Sequence, residues 1–260
     1  MKIGLSSAVF YPNLKTEDSI KLISELGFSC AELFLNSPFE YETEYVKGLV
    51  EKKEQCGLKI NSVHSFSSSF EPYLFDAYKR RRKDMLKFFE MVCKAGRLLG
   101  AKCYTFHGMR IGPSDFVSKE LMHDVYNNLT YIAGENEIQL AQENVSWCMS
   151  SKIEYLKDLK ESCKYPLYFT FDIKQAYKAG VNPMEYLEVM GVDLTNIHIN
   201  DRDDKNVCLL PGDGKVDFKS ILDKTKSLNY KGNAIMEVYS TNYNSYEEIK
   251  NSKKYLEKFL

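Results

Sequence analysis

Short apolar runs alternate with helical patterns along the whole chain. The runs are short and are typical of strands. They span residues 2–6, 30–35, 58–64, 102–107, 137–143, 167–172, 194–200 and 233–239. Helices are predicted between them at residues 17–26, 44–56, 75–99, 115–133, 151–163, 174–190, 218–228 and 245–259. The chain therefore repeats one strand followed by one helix.

Several predicted helices carry the residues that helix ends favour. Thr16 is expected to be the N-cap of the first helix, and Gly27, Gly57 and Gly100 follow the first three helices. Pro183 is expected to break the sixth helix. Eight such units over 260 residues predict a (β/α)8 TIM barrel, a fold that typically needs about 250 residues. An open, doubly wound sheet is the competing architecture, but no Gly-x-Gly-x-x-Gly turn follows the first strand.

Composition narrows the class of protein. No linker or low-complexity segment divides the chain, so residues 1–260 are predicted to form one domain. No apolar run is long enough to span a bilayer and the N-terminus leads into a strand rather than a signal peptide, so we expect a cytoplasmic protein. Seven scattered cysteines without a Cys-x-x-Cys pair favour reduced thiols. The net charge of −1 predicts no general attraction for nucleic acid or membranes.

Four potential metal ligands stand at or near the ends of the last four predicted strands: Glu143, Asp172, His198 and Glu237. A carboxylate at the end of a buried strand is costly unless a partner offsets its desolvation. In a TIM barrel the carboxyl ends of all strands share one rim, where catalytic groups lie. The four residues are therefore predicted to bind a cation together. Asp172 has an alternative role as the N-cap of the helix that follows it.

Further residues on the same rim are candidates for contacts with a substrate. His64 and His107 close the third and fourth strands, where a histidine can equally be a hydrogen-bonded rim residue. Arg202 is expected either to bind a substrate oxygen or to pair with a neighbouring aspartate. Trp147 lies in a loop where an aromatic face can pack on a sugar or on the loop itself. Glu32, on the second strand, points either into the barrel mouth or into a buried ion pair.

The motifs around these positions resemble those of the xylose isomerase-like TIM barrels, in particular the sugar phosphate isomerase/epimerase group. The matching motifs are Glu143-Asn144, Asp172-Ile173-Lys174-Gln175-Ala176, His198-Ile199-Asn200-Asp201, Pro211-Gly212-Asp213-Gly214 and Met236-Glu237-Val238. The resemblance covers the whole chain. Members of the group include ketose 3-epimerases, hydroxypyruvate isomerases, inosose dehydratases and apurinic endonucleases, and these motifs separate them poorly.

The resemblance implies a divalent-metal-dependent isomerase or epimerase of a sugar or sugar phosphate. It assigns one ion to Glu143, Asp172, His198 and Glu237, with Mn²⁺ or Mg²⁺ expected and Co²⁺ or Zn²⁺ possible. It also makes Glu143 and Glu237 the groups that exchange protons with the substrate through an enediolate. His64, His107, Arg202 and Trp147 are the expected substrate contacts. A homo-oligomer would be unsurprising for such a barrel.

Departures from the family pattern leave two alternatives open. Many members carry histidine where this chain has Gln175, and the endonuclease branch adds Asp and His ligands where this chain has Asn206 and Cys208. A three-metal centre is therefore expected to be incomplete. An apurinic endonuclease-like phosphodiesterase is one alternative function. An inosose dehydratase-like lyase is the other.

Overall fold

Eight parallel strands close into a barrel within residues 1–112 and 117–260, which are the residues that this computed structural model describes. Each strand pairs with the next along the chain, and the last pairs with the first. The strands are β1 (Ile3–Ser6), β2 (Cys30–Leu35), β3 (Lys59–Ser65), β4 (Cys103–Phe106), β5 (Gln139–Glu143), β6 (Tyr168–Asp172), β7 (Leu194–Ile199) and β8 (Ala234–Met236). The predicted (β/α)8 barrel is confirmed.

Nine α-helices surround the barrel in the same described residues. They are α1 (Thr16–Glu25), α2 (Thr43–Gln55), α3 (Lys79–Leu99), α4 (Lys119–Glu135), α5 (Ile153–Ser162), α6 (Ile173–Lys178), α7 (Pro183–Met190), α8 (Phe218–Ser227) and α9 (Tyr246–Glu257). The predicted sixth helix is two helices, because Pro183 begins a new one at its first turn, where a missing N–H costs nothing.

Two predicted helix starts differ from the structure, and one lies outside the described residues. Lys15, not Thr16, is the N-cap of α1; the Thr16 hydroxyl instead donates to Glu40 Oε2 at 2.9 Å. The helix predicted to begin at Phe75 begins at Lys79, because Phe75 ends a separate 3₁₀ turn, Glu71–Phe75. Asp115, the predicted start of the fourth helix, is not among the described residues.

Side chains alternate between the two faces of the barrel strands. On β6, Phe171 is fully buried and contacts Tyr186 of α7, with ring centroids 6.5 Å apart. The preceding residue, Thr170, points to the other face. Its Oγ1 lies 3.1 Å from Oγ1 of Thr105 on β4, across the barrel interior. Because strand side chains repeat with a period of two, Asp172 shares the interior face with Thr170. The apolar core therefore lies between strands and helices, while the strand ends direct polar groups inward.

The barrel interior is unusually polar at its centre. TIM barrels generally fill this space with layers of bulky apolar side chains. Here the fully buried side chains that hydrogen bond across it are Ser6, Glu32, Ser62, Thr105, Thr170 and Asn196. This layer lies directly beneath the strand ends that carry the predicted ligands.

Among the described helices, none has the length and apolar composition needed to cross a membrane.

Candidate metal centre

The barrel brings the four predicted ligands together at the carboxyl ends of its strands. Glu143 and Asp172 end β5 and β6, His198 lies near the end of β7, and Glu237 follows β8. Asp172 and His198 are direct neighbours in the register of β6 and β7. One potential ligand atom from each of the four residues lies within 4.8 Å of the others, and all four residues are buried. The sequence placed these residues on one rim, and the structure makes them one cluster.

His198 turns one nitrogen toward the cluster and the other toward the barrel interior. Its Nδ1 lies 3.4 Å from Glu143 Oε1, 3.7 Å from Asp172 Oδ2 and 3.4 Å from Glu237 Oε2. Its Nε2 lies 3.0 Å from Glu32 Oε2. Because the carboxylate can only accept, Nε2–H donates to Glu32, so in the neutral imidazole the lone pair lies on Nδ1 and faces the cluster. This is the tautomer that a metal ligand requires.

Orphaned atoms at the centre of the cluster fit a bound cation. Asp172 Oδ2 and His198 Nδ1 are buried and have no hydrogen-bond partner among the described residues. Buried polar atoms are seldom left unpaired, since each costs about 1–3 kcal/mol. Burial raises the pKa of Asp172, and the nearby Glu143 and Glu237 carboxylates raise it further. A divalent ion held by these oxygen and nitrogen ligands would satisfy both atoms and offset the clustered charge.

Asp172 both caps a helix and faces the cluster. Its Oδ1 accepts a hydrogen bond from the backbone N–H of Gln175 at 2.9 Å, which makes it the N-cap of α6. Its second oxygen, Oδ2, is the orphaned atom described above. The capping bond fixes the carboxylate plane. One side chain therefore caps α6 through Oδ1 and leaves Oδ2 within the cluster.

Glu32 is fully buried and hydrogen bonds to a member of the cluster. From sequence, its side chain could point either into the barrel mouth or into a buried ion pair. Its carboxylate accepts hydrogen bonds from Ser62 Oγ at 2.7 Å, Asn196 Nδ2 at 3.2 Å and His198 Nε2 at 3.0 Å. Burial opposes its ionisation, but the adjacent His198 outweighs burial and lowers the pKa of Glu32. The residue belongs to a buried ion pair beneath the centre, where it orients the imidazole.

His64 and His107 form a second group beside the first. Their Nε2 atoms lie 2.8 Å apart, and His107 Nε2 lies 3.0 Å from Glu143 Oε2. His64 Nδ1 lies 3.7 Å from Glu237 Oε1. His64, His107 and Glu143 are themselves close enough to hold an ion, so Glu143 belongs to two overlapping clusters.

The two glutamates are ionised in this setting. Burial opposes the charge on Glu143, yet contacts with His107 and His198 outweigh it and lower the pKa of Glu143. Burial likewise opposes the charge on Glu237, but the Lys174 ammonium and His198 hold the pKa of Glu237 well below its usual range. Both side chains are therefore carboxylates at neutral pH.

Two residues of this centre were not identified from sequence. Lys174 is buried, and its Nζ donates to Glu237 Oε2 at 3.1 Å. Glu71 is fully buried behind His107 and accepts from the backbone N–H of His107 at 3.0 Å and from Tyr104 Oη at 2.6 Å. The position of Lys174, two residues after a strand-end aspartate, was the available signal. Glu71 lies in a loop and offered none.

A cavity of about 340 Å³ opens above the cluster at the barrel mouth. Its apolar wall consists largely of the aromatic residues Tyr11, Phe34, Phe66, Trp147 and Tyr239. Its polar floor includes His64, His107, Glu143 and Glu237. Trp147 is 38% exposed and meets the His107 ring edge-on, with centroids 5.2 Å apart. An apolar wall over a polar floor suits a ligand with both C–H and hydroxyl faces.

Arg202 does not belong to the described lining of this cavity. Its guanidinium lies over the Tyr177 ring, 4.7 Å from the centroid, and 3.8 Å from Asp204 Oδ1. Of the two roles expected from sequence, the contacts match the ion pair with a neighbouring aspartate. Its neighbour Asp201 accepts from the backbone N–H groups of Gly212 and Gly214 at 2.9 and 3.0 Å, so it organises the glycine loop.

Residues at the positions of additional metal ligands have other partners. Gln175 Oε1 accepts from Ser146 N at 3.0 Å and Ser146 Oγ at 2.8 Å, which ties α6 to the loop after β5. Asn206 is exposed and hydrogen bonds to Asp203, while Cys208 is buried in the core. Gln175, Asn206 and Cys208 are therefore engaged outside the cluster of four. All seven cysteines are free thiols, as the sequence predicted.

Known proteins share this architecture. An uncharacterized protein of Methanocaldococcus jannaschii is 27% identical over 277 aligned positions, which cover 100% of this chain and 89% of the relative. The structure of a D-tagatose 3-epimerase-like protein superposes with a TM-score of 0.83 at 23% identity, covering 100% of this chain and 97% of that chain. The IolI protein with a bound zinc atom superposes with a TM-score of 0.81 at 16% identity, covering 100% and 99%.

A third solved structure is that of 3-keto-D-glucoside 4-epimerase from E. coli, with a TM-score of 0.80 at 18% identity and 99% of both chains covered. At these identities the superpositions establish the fold and leave the activity open. The family model for the xylose isomerase-like TIM barrel matches residues 20–259, which is most of the chain. The protein therefore belongs to the xylose isomerase-like TIM barrel family.

Proposed function

We propose that this protein is a divalent-metal-dependent isomerase or epimerase of a sugar or sugar derivative. One observation carries the proposal: among the four clustered residues, only Glu143 and Glu237 line the cavity. Asp172 and His198 are fully buried below it. A site that only binds an ion does not require two of its ligands to face a cavity while the other two are buried. Two ionised carboxylates facing one cavity are the arrangement that proton removal and return require.

The chain supplies two proton-transfer groups on different sides of the mouth. Glu143 ends β5 and Glu237 follows β8, so the two carboxylates approach the cavity from separated strands. One removes a proton from a carbon beside the substrate carbonyl, and the other returns a proton to the resulting enediolate. General acid–base help of this kind typically contributes about 10²–10⁴-fold. A divalent ion at the site would polarise the carbonyl and acidify the adjacent C–H.

The ligand set favours Mn²⁺ or Mg²⁺, and a single imidazole also permits Co²⁺ or Zn²⁺. Glu143, Asp172, His198 and Glu237 would hold the ion. His64 and His107 lie on the cavity floor, where they would donate to or accept from substrate hydroxyls. Trp147 would pack against the C–H face of the sugar.

The test is proton exchange into ketoses in D₂O, followed by NMR, with Mn²⁺, Mg²⁺, Co²⁺ or Zn²⁺ added. We expect metal-dependent exchange by the wild-type protein, and loss of at least about 100-fold in Glu143→Gln and Glu237→Gln. Glu40→Gln is the control, because Glu40 hydrogen bonds to Thr16 outside the cavity lining. No exchange by the wild type across a broad ketose panel, or exchange that survives both substitutions, would refute the proposal.

The group formed by His64, His107 and Glu143 favours one further candidate function, that of an apurinic endonuclease-like phosphodiesterase. His64, His107 and Glu143 offer a second ion site that shares a carboxylate with the first. More than one tightly bound ion per chain together with cleavage of abasic DNA would favour that function over isomerisation. An inosose dehydratase-like lyase would instead release water, which the same NMR experiment detects as an unsaturated product.

A further inference from the structure

Lys174 is a buried ammonium inside the proposed ion site. Its side chain is only 4% exposed, whereas Lys178 of the same short helix is exposed. Removing an ammonium from water costs several kcal/mol unless close partners compensate. A buried lysine beside a proposed divalent-cation site is therefore unusual, because the two positive charges repel each other.

The partners of Lys174 are two of the four residues proposed to bind the ion. Its Nζ lies 3.1 Å from Glu237 Oε2 and 3.6 Å from Asp172 Oδ2, the orphaned oxygen at the centre of the cluster. The ring of Tyr239 lies against the ammonium, with its centroid 4.9 Å from Nζ, and both residues line the cavity. The ammonium thus shares its carboxylates with the expected ion.

The start of α6 fixes this position. Asp172 caps the helix through Gln175 N–H, so Lys174 lies in the first turn, immediately beside the ends of β6 and β8. The capping bond sets the direction in which the lysine leaves the backbone. The same aspartate therefore orients both itself and the lysine that contacts it.

We propose that Lys174 is a positioning residue that acts as a built-in counter-charge for the ion site. It holds Glu237 and Asp172 in place before an ion binds, and it lowers the affinity of the site for that ion. The inference rests on the ion site of the proposed function, which it deepens by assigning a role to Lys174.

The physical argument has two parts. Without an ion, Glu143, Asp172 and Glu237 lie in one buried cluster, and an ammonium within 4 Å of two of them reduces their mutual repulsion. With a divalent ion, the same ammonium repels the ion across a short distance in a poorly screened interior. We therefore expect Lys174 both to stabilise the ion-free protein and to weaken ion binding.

The experiment compares Lys174→Met with Lys178→Met, which removes the same charge from the exposed end of the same helix. Mn²⁺ affinity is measured by isothermal titration calorimetry on protein stripped with EDTA, and Tm is measured with and without Mn²⁺. We expect Lys174→Met to bind Mn²⁺ roughly 10- to 100-fold more tightly than wild type. Its Tm in EDTA should be lower than that of wild type, and Mn²⁺ should raise it by more. Lys178→Met should match wild type in both measurements.

Two further variants keep the inference testable if methionine disturbs packing. Lys174→Arg retains the charge and should keep the Mn²⁺ affinity within about threefold of wild type. Lys174→Gln removes the charge with a polar side chain and should shift the affinity in the same direction as Lys174→Met. Unchanged or weaker Mn²⁺ binding in both uncharged variants would overturn the role of Lys174. If the wild type itself binds no divalent ion, the ion site of the proposed function fails and this inference fails with it.

Discussion

Substitution of Glu32 by glutamine should weaken ion binding and lower stability, although Glu32 is not one of the proposed ligands. The carboxylate accepts from His198 Nε2 at 3.0 Å, from Ser62 Oγ at 2.7 Å and from Asn196 Nδ2 at 3.2 Å. Glutamine has nearly the same shape but carries no charge, and its amide donors oppose the donors that surround it. His198 would lose its charged acceptor and would face either the neutral amide oxygen or an N–H group.

Two separate estimates give the magnitude for Glu32→Gln. A hydrogen bond to a charged group contributes about 1.5–3 kcal/mol, so loss of the bond from His198 alone should reduce the free energy of unfolding by roughly that amount. Substitution of the residue that orients a metal ligand typically costs 10- to 100-fold in metal affinity, which corresponds to about 1.4–2.7 kcal/mol. Both estimates concern the bond between His198 and Glu32, without and with a bound ion.

The assay is urea denaturation of the ion-free protein followed by circular dichroism, together with calorimetric titration of Mn²⁺. Glu71→Gln is the matched control, since Glu71 is equally buried but bonds to Tyr104 and to the backbone of His107. It should lower stability while it leaves Mn²⁺ affinity within about threefold. Wild-type Mn²⁺ affinity in Glu32→Gln would refute the proposed orientation of His198.

Three other predictions concern the mouth and the thiols. Gly108→Ala should destabilise the protein by about 1–3 kcal/mol in urea denaturation, because φ is +81° and the added Cβ would lie 2.6 Å from Gln142 Oε1; an unchanged midpoint would contradict the geometry. Trp147→Ala should raise KM for a sugar substrate about tenfold with little change in kcat, since the ring lines the cavity without reaching the cluster; a loss confined to kcat would argue against this role. Ellman's reagent should modify at most Cys56 and Cys163 of the native protein, because the remaining thiols are buried; fast reaction of more than two thiols would show that the core is more open.

Much of the proposed ion site follows from sequence because strand ends can be located without tertiary information. Glu143 and Asp172 each close a predicted strand, and a parallel barrel brings all strand ends of this kind to one rim. The motif resemblance then supplied the roles of these residues, which the geometry accommodates. The broken sixth helix was likewise predictable, since Pro183 cannot continue a helix but can begin one.

The contacts of Glu32 and Lys174 with the cluster could not be predicted from the sequence. Glu32 hydrogen bonds to Asn196 and His198, which lie more than 160 residues later in the chain. No local sequence pattern predicts these contacts. Lys174 was missed because a lysine in a helical segment is ordinarily solvated, and only the positions of Asp172 and Glu237 explain its burial. Long-range partners therefore limited the prediction more than local structure did.

The most direct test of this account is anomalous diffraction from crystals soaked in Mn²⁺. The account predicts one strong peak per chain among Glu143, Asp172, His198 and Glu237, with His198 Nδ1 toward the ion and Nε2 toward Glu32. A peak confined to His64 and His107, or no peak at saturating Mn²⁺, would contradict the proposed centre.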